Sequence, residues 1–272
     1  MIASAKSQDR ATSHFSIEVT PKSDLADLPR SIREVSVTFL PGAHYREVVF
    51  QAQKLRQMGF EPIPHVPARS LHDYQELLDC VTQLRERADI RQVLLIGGSP
   101  TEPLGPYAST LDLLETGLFE GLRVGVAGHP EGSPHLDEVE CDHVLALKNA
   151  YARDTGTEMF VITQWSLDVE KIAAWLDRIA AFNTLPIYLG IPGPTSPAAL
   201  LKFARICGVK PSLQGLRDRP WQLGQLAIAS TPDYLIDALQ DRADRFHIYS
   251  FGSLKRTRDW LEARSPLTLA QM

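Results

Sequence analysis

Apolar, strand-like runs recur along the chain: FSIEV, EVSVTFL, FEPIPHV, RQVLLIGG, LRVGVAG, MFVITQ, LPIYLGI and FHIYSF. Most are separated by segments whose apolar residues return at helical spacing. Strands that alternate with helices fold economically into a parallel sheet. Eight such units in about 250 residues predict a single-domain α/β fold, a closed (β/α)8 TIM barrel over residues 15–272. Residues 1–14 are polar and read as a flexible N-terminal arm.

The intervening segments differ in clarity. TPKSDLADLPRSI, after the first strand, is short and carries two prolines, so only a brief helix is expected there. HYREVVFQAQKLRQM places Tyr45, Val48, Val49, Ala52 and Leu55 on one face and ends at Gly59, a C-cap candidate. SLHDYQELLDCVTQLRERA repeats the pattern through Leu71, Tyr74, Leu78, Val81 and Leu84. A further helix is expected near residues 138 to 153, and DVEKIAAWLDRIAAF carries the stripe Ile172, Trp175, Leu176 and Ile179. Ser196 followed by Pro197 predicts a capped helix start. Residues 208 to 245 exceed one crossover, and TPDYLIDALQDRA supplies an additional helix.

Composition narrows the function class. The chain has 272 residues, is 44% hydrophobic and 22% charged, and so can bury a full core. Its net charge of −5 offers no basic footprint for nucleic acid. The apolar runs are too short to cross a bilayer, and MIASAKSQDRATSH lacks the apolar core of a signal peptide, so a cytoplasmic protein is expected. Cys80, Cys141 and Cys207 have no metal spacing and read as reduced, mostly buried thiols; no metal site is expected.

Reactive side chains stand where the strands give out, the rim on which barrel enzymes carry their chemistry. Glu18 lies in an apolar strand, where burial would raise its pKa toward that of a useful general acid; a salt bridge across the mouth is the plain alternative. His65 ends the third strand, and such a histidine is more often packed than ligating. Gly97 and Gly98 follow the fourth strand and would let a ligand approach the backbone. They do not form the GxGxxG of a dinucleotide fold. Gln164 offers both a donor and an acceptor to an amide or pterin edge, or it caps a strand. No lysine lies inside the runs in a position to form a Schiff base.

From about Phe15 to Leu254 the chain resembles methylenetetrahydrofolate reductases, flavin-dependent (β/α)8 barrels. The resemblance is carried by FSIEVTP, VSVTF, PIPHV, GVAGHPEGSP, FVITQWSLDVE, PIYLGIPGPTS and HIYSF, with the ITQ segment the most specific. It implies an oxidoreductase that interconverts 5,10-methylenetetrahydrofolate and 5-methyltetrahydrofolate, with FAD bound and NADH or NADPH as co-substrate in ping-pong order. It also implies a place in one-carbon metabolism and methionine biosynthesis. Glu18 would protonate the folate and open its five-membered ring to the iminium. Thr38, His65, Gly97, Gly98, Ser99, Tyr107, Ala108, Ala127 and His129 would line the flavin, and Arg153 would reach its phosphates. Gln164 would hold the pterin and Phe203 would stack on the folate or nicotinamide ring.

The chain departs from the family pattern in places. Ser99 stands where an Asp is common, which removes an anion beside the flavin and favours its reduced, anionic form. His129 replaces a Tyr, Ser133 a His, and Ala199 a Gln. A flavin-free or oxidation-direction variant serving one-carbon catabolism, or a non-redox folate-binding protein, therefore stands as the alternative. A homo-oligomer is compatible with the sequence.

Overall fold

The structure, a computed structural model, describes residues 14–133, 136–206, 231–251 and 253–264. Its strands are β1 (Phe15–Val19), β2 (Glu34–Val37), β3 (Glu61–Pro67), β4 (Gln92–Ile96), β5 (Arg123–Gly128), β6 (Met159–Thr163), β7 (Ile187–Pro192) and β8 (Arg245–Tyr249). Each pairs in parallel with the next, and β8 pairs with β1 to close the barrel. All eight apolar runs are therefore strands, as expected. The helices are α1 (Tyr45–Gln57), α2 (Tyr74–Ala88), α3 (Thr110–Glu115), α4 (Glu138–Thr155), α5 (Val169–Ile179), α6 (Pro197–Ile206), α7 (Asp233–Leu239) and α8 (Leu254–Arg264). A 3-10 turn, Ala68–Ser70, follows β3.

Alternation along each strand divides two cores. Ile17, Val19, Val35 and Val37 point outward into the layer shared with the helices. Ile63, Leu94, Phe160, Ile162 and Tyr188 point inward and fill the barrel. Gly125 makes room for that packing, because a Cβ there would come within 2.7 Å of Phe160 Cζ. Below lies a charged floor. Arg245 Nη1 donates to Glu34 Oε2 at 2.6 Å, Arg123 Nη1 donates to Tyr188 Oη at 3.0 Å, and the Arg123 guanidinium rests 4.3 Å from the Phe160 ring centroid. A cleft of about 1000 Å³ opens beside this floor. Its carboxylates Glu34, Glu61 and Glu158 are all paired with arginine, so it reads as structure, and the reactive groups lie at the opposite end.

The helices follow local chemistry closely. His44 and Glu47 form a capping box at α1, and Gly59 follows its end at φ 87°, a conformation glycine adopts without strain. The α5 stripe is the expected one, Ile172, Trp175, Leu176 and Ile179. At Ser196 the side chain accepts from Ala199 N at 3.3 Å, as a cap should.

Two expectations are corrected, and one helix is added. Residues 20–32 form turns rather than a brief helix, because Pro21 and Pro29 interrupt them and Gln51 Nε2 of α1 donates to Thr20 O and Ser23 O instead. In α2 the buried residues are Leu77, Cys80, Val81, Leu84 and Ala88, whereas Tyr74 is 50% exposed. Asp73 is the N-cap, so Tyr74 is the first helical residue, and its side chain faces solvent. Finally, α8 was not anticipated; its stripe of Leu254, Thr257, Trp260 and Leu261 is diluted by basic residues. Cys80 and Cys141 are buried free thiols, and Cys207 lies outside the described residues. The arm lies outside them too, except for its last residue, His14. Among the described residues no helix is long and apolar enough to cross a membrane.

Candidate active site

The acid and the third-strand histidine meet inside the barrel mouth. Glu18 points inward from β1 and keeps 19% of its side chain exposed, while His65 on β3 is 5% exposed. Glu18 Oε2 lies 3.6 Å from His65 Nε2. Burial pushes the Glu18 carboxyl up to about 8 and the His65 imidazole down to about 3. Both shifts favour neutral forms, so near pH 7 the pair is a protonated acid beside a neutral imidazole rather than an ion pair.

Those shifts fix a stability profile. Folding holds a proton on Glu18 between its ordinary 4.5 and about 8, so its contribution is lost as pH rises through that window. His65 and His247, each pushed from 6.5 down to about 3, act in the opposite sense, and their contribution is lost as pH falls from 6.5. Glu18→Gln should therefore be more stable than wild type by a margin that grows by up to about 1.4 kcal/mol per pH unit between pH 4.5 and about 8 and levels off beyond it. Urea unfolding at several pH values checks this, and a pH-independent margin would contradict the raised pKa.

The glycines after β4 have distinct roles. Gly98 sits at φ 95°, and a Cβ there would approach Pro67 Cβ to 3.1 Å, so its identity is set by the backbone. A Cβ on Gly97 would meet nothing within 4 Å and would enter open space at the mouth. The following loop is tied down by Arg69, whose Nε donates to Ala108 O at 2.8 Å and whose backbone N donates to Gly97 O at 2.9 Å. Tyr107 is buried, whereas Ser99 and Ala108 are exposed. Thr38 is half-buried just past β2, with its N–H on Val19 O at 2.9 Å.

Ala127 near the end of β5 and His129 just past it are half-buried. His129 is pushed down to about 4 by burial and then by the nearby Lys148. Lys148 on α4 is itself 4% exposed, donates to Ala127 O at 3.4 Å, and is lowered to about 8 by burial. The sequence reading missed this cation. Arg153 was expected at the cofactor phosphates, but it lies in the last turn of α4, which descends toward the start of β6 and so away from the mouth. There it is 72% exposed and pairs with Asp154. That placement is corrected, because helices of a β/α barrel run down from the rim and only their early turns border it.

On the opposite side, Gln164 follows β6 with its N–H on Gly128 O at 2.8 Å, and its side-chain Oε1 accepts from Trp165 N at 3.1 Å. An aromatic wall stands beside it. Phe203 on α6 stacks on Phe251 at 4.6 Å between centroids, and Trp165 meets Phe251 edge-on at 5.2 Å. Phe251 has φ 43°, uncommon for a bulky side chain and frequent at functional sites. Gly190 leaves room for the wall, since a Cβ there would lie 2.9 Å from Tyr249 Cε2.

The methylenetetrahydrofolate reductase family model matches residues 31–263, most of the barrel. The chain belongs to this family. Methylenetetrahydrofolate reductase 1 of Schizosaccharomyces pombe is 31% identical over 187 residues, which are 65% of this chain and 30% of that protein. The chain thus spans about 30% of the length of that relative. A solved dihydropteroate synthase from Xanthomonas albilineans in complex with 7,8-dihydropteroate is 12% identical with a TM-score of 0.51, covering 94% of this chain and 92% of that one. At that identity the likeness shows the fold alone. Family membership agrees with the resemblance carried by the ITQ segment.

Proposed function

We propose that the chain is a flavin-dependent reductase of folate-bound one-carbon units, interconverting 5,10-methylenetetrahydrofolate and 5-methyltetrahydrofolate with NADH or NADPH in ping-pong order. The observation that carries this reading is a single carboxyl, held protonated by burial, at the mouth of a barrel of this family. A bound FAD would supply two-electron chemistry that no amino-acid side chain provides.

The chain's own residues then bind, orient and manage one proton. Open space over Gly97 would accept the flat edge of the flavin, with Thr38, His65, Gly98, Ser99, Tyr107, Ala108, Ala127 and His129 around it. Lys148, buried and without a salt bridge among the described residues, replaces Arg153 as the cation suited to the phosphates. Glu18, neutral near pH 7, gives its proton to the ring nitrogen of the folate and so opens the five-membered ring. Gln164 presents a donor and an acceptor to the pterin edge, and Phe203, braced by Phe251, provides the stacking face for folate or nicotinamide.

Initial-rate kinetics test the reading. Parallel double-reciprocal lines for the nicotinamide and folate substrates are expected, and intersecting lines would reject ping-pong order. Gln164→Ala should weaken folate binding by about 1 to 3 kcal/mol, the scale of a buried polar edge left unpaired, with no comparable change for NADH. An equal loss for both substrates would remove Gln164 from the pterin site.

A further inference from the structure

The cleft at the floor of the barrel holds more cations than its carboxylates use. Five arginines stand around it at the strand entries: Arg30 and Arg33 in the turns before β2, Arg91 immediately before β4, and Arg123 and Arg245 as the first residues of β5 and β8. Glu34, Glu61 and Glu158 are the carboxylates among its described lining residues. Arg56, behind the wall, takes Glu61 through two hydrogen bonds of 2.6 and 2.8 Å. Arg245 takes Glu34 at 2.6 Å, and Arg123 takes Glu158 at 2.7 Å. Arg30, Arg33 and Arg91 are left over.

None of these three is neutralised in place. Arg33 is exposed and makes no side-chain hydrogen bond or ion pair among the described residues. Arg91 Nη2 lies 4.0 Å from Asp89 Oδ2, but the two side chains are 69% and 72% exposed, and Asp89 also faces Arg56 Nε at 3.8 Å. A contact so long and so wet neutralises little. Arg30 rests its guanidinium 5.6 Å from the Phe60 ring centroid and gives Met58 O one hydrogen bond of 3.5 Å, which orients the fork and leaves its other N–H groups open. The space between the arginines is clear as well, since a Cβ on Gly59 or Gly121, at the turns into β3 and β5, would meet nothing within 4 Å. Six arginines against four carboxylates, Arg56 and Asp89 included, leave two positive charges in excess on a chain whose net charge is −5.

We propose that this cleft binds the oligophosphate group of a small molecule, a diphosphate or triphosphate. Arginine forks match phosphate oxygens in pairs. Each phosphate group brings roughly 1.5 to 2 negative charges near pH 7, so a diphosphate meets the excess where a single carboxylate falls short. The cleft, about 1000 Å³, also has room for a nucleoside, so the oligophosphate is either free or carried by a nucleotide. The site lies at the far end of the barrel from Glu18 and does not rest on the proposed reaction.

Isothermal titration calorimetry of the purified full chain tests this, with sodium triphosphate and separately with ATP, both without added metal. One site per chain is expected, with an affinity that falls as salt is raised from about 50 to 200 mM. Arg33→Gln and Arg91→Gln should each weaken binding about tenfold, the scale of one lost hydrogen bond to a charged group, and the double variant should weaken it further. Both side chains are exposed, so the fold should hold, and thermal unfolding checks that it does. Lys148→Met, at the mouth, should leave the titration unchanged. Affinity for ATP equal to or below that for triphosphate assigns the cleft to free oligophosphate, and tighter binding of ATP assigns it to a nucleotide. The proposal is overturned if the wild type binds neither probe, if it takes up several per chain, or if binding is lost in Lys148→Met and kept in the arginine variants.

Discussion

Glu18→Gln should abolish folate turnover by roughly a hundredfold or more, the usual scale for losing a positioned general acid, while leaving reduction of the flavin by NADH in place. The amide has nearly the volume of the acid, stands beside the neutral His65 imidazole as the carboxyl does, and cannot deliver a proton. It also remains neutral, which is the state that burial already imposes on Glu18 by raising its pKa to about 8. The variant therefore removes the proton and little else. Stopped-flow measurement of the two half-reactions separates the possibilities. Loss of the folate half alone supports the acid role, and equal loss of both would show that Glu18 holds the site together structurally.

Gly97→Val should empty the flavin site. A side chain at Gly97 would enter open space, with no atom within 4 Å of a Cβ, so the fold itself should tolerate the change. The same space is what the flavin needs, and forcing two groups into it costs about 1 to 3 kcal/mol, or roughly tenfold or more in affinity. Gly98→Val is a poorer probe, because φ 95° and the Pro67 contact would strain the backbone whether or not a ligand is present. Flavin content after purification, with thermal unfolding as a control, checks this. Full occupancy in a well-folded Gly97→Val variant would move the cofactor elsewhere.

The barrel was legible in the sequence because strands packed on both faces must be apolar along their length, and Glu18, His65 and Gln164 stood out at the ends of such runs. Their mutual geometry was not. Glu18 and His65 belong to strands separated by β2, and only barrel closure brings their side chains within 3.6 Å. The buried polar positions did leave a signal, since Ser16 and Glu18 share one face of β1 at a spacing of two, and Ser36 and His247 are polar positions in otherwise apolar strands. Lys148 left less, because α4 buries Cys141, Leu145, Lys148, Asn149 and Ala152, a stripe in which Lys148 and Asn149 interrupt the apolar pattern. Arg153, a turn further on, was the more conspicuous cation and proved to face solvent at the wrong end. Phe251 was hidden for another reason, because its positive φ is a property of the chain path after β8.

The central claim is that this barrel mouth holds a flavin and passes electrons between a nicotinamide and a folate. Anaerobic titration of the purified protein, reconstituted with FAD where needed, tests it most directly through the visible flavin band. The account predicts a bound flavin spectrum that NADH or NADPH bleaches and that 5,10-methylenetetrahydrofolate then restores, with 5-methyltetrahydrofolate as product. A protein that binds the folate yet neither retains FAD nor bleaches on addition of either nicotinamide would contradict it.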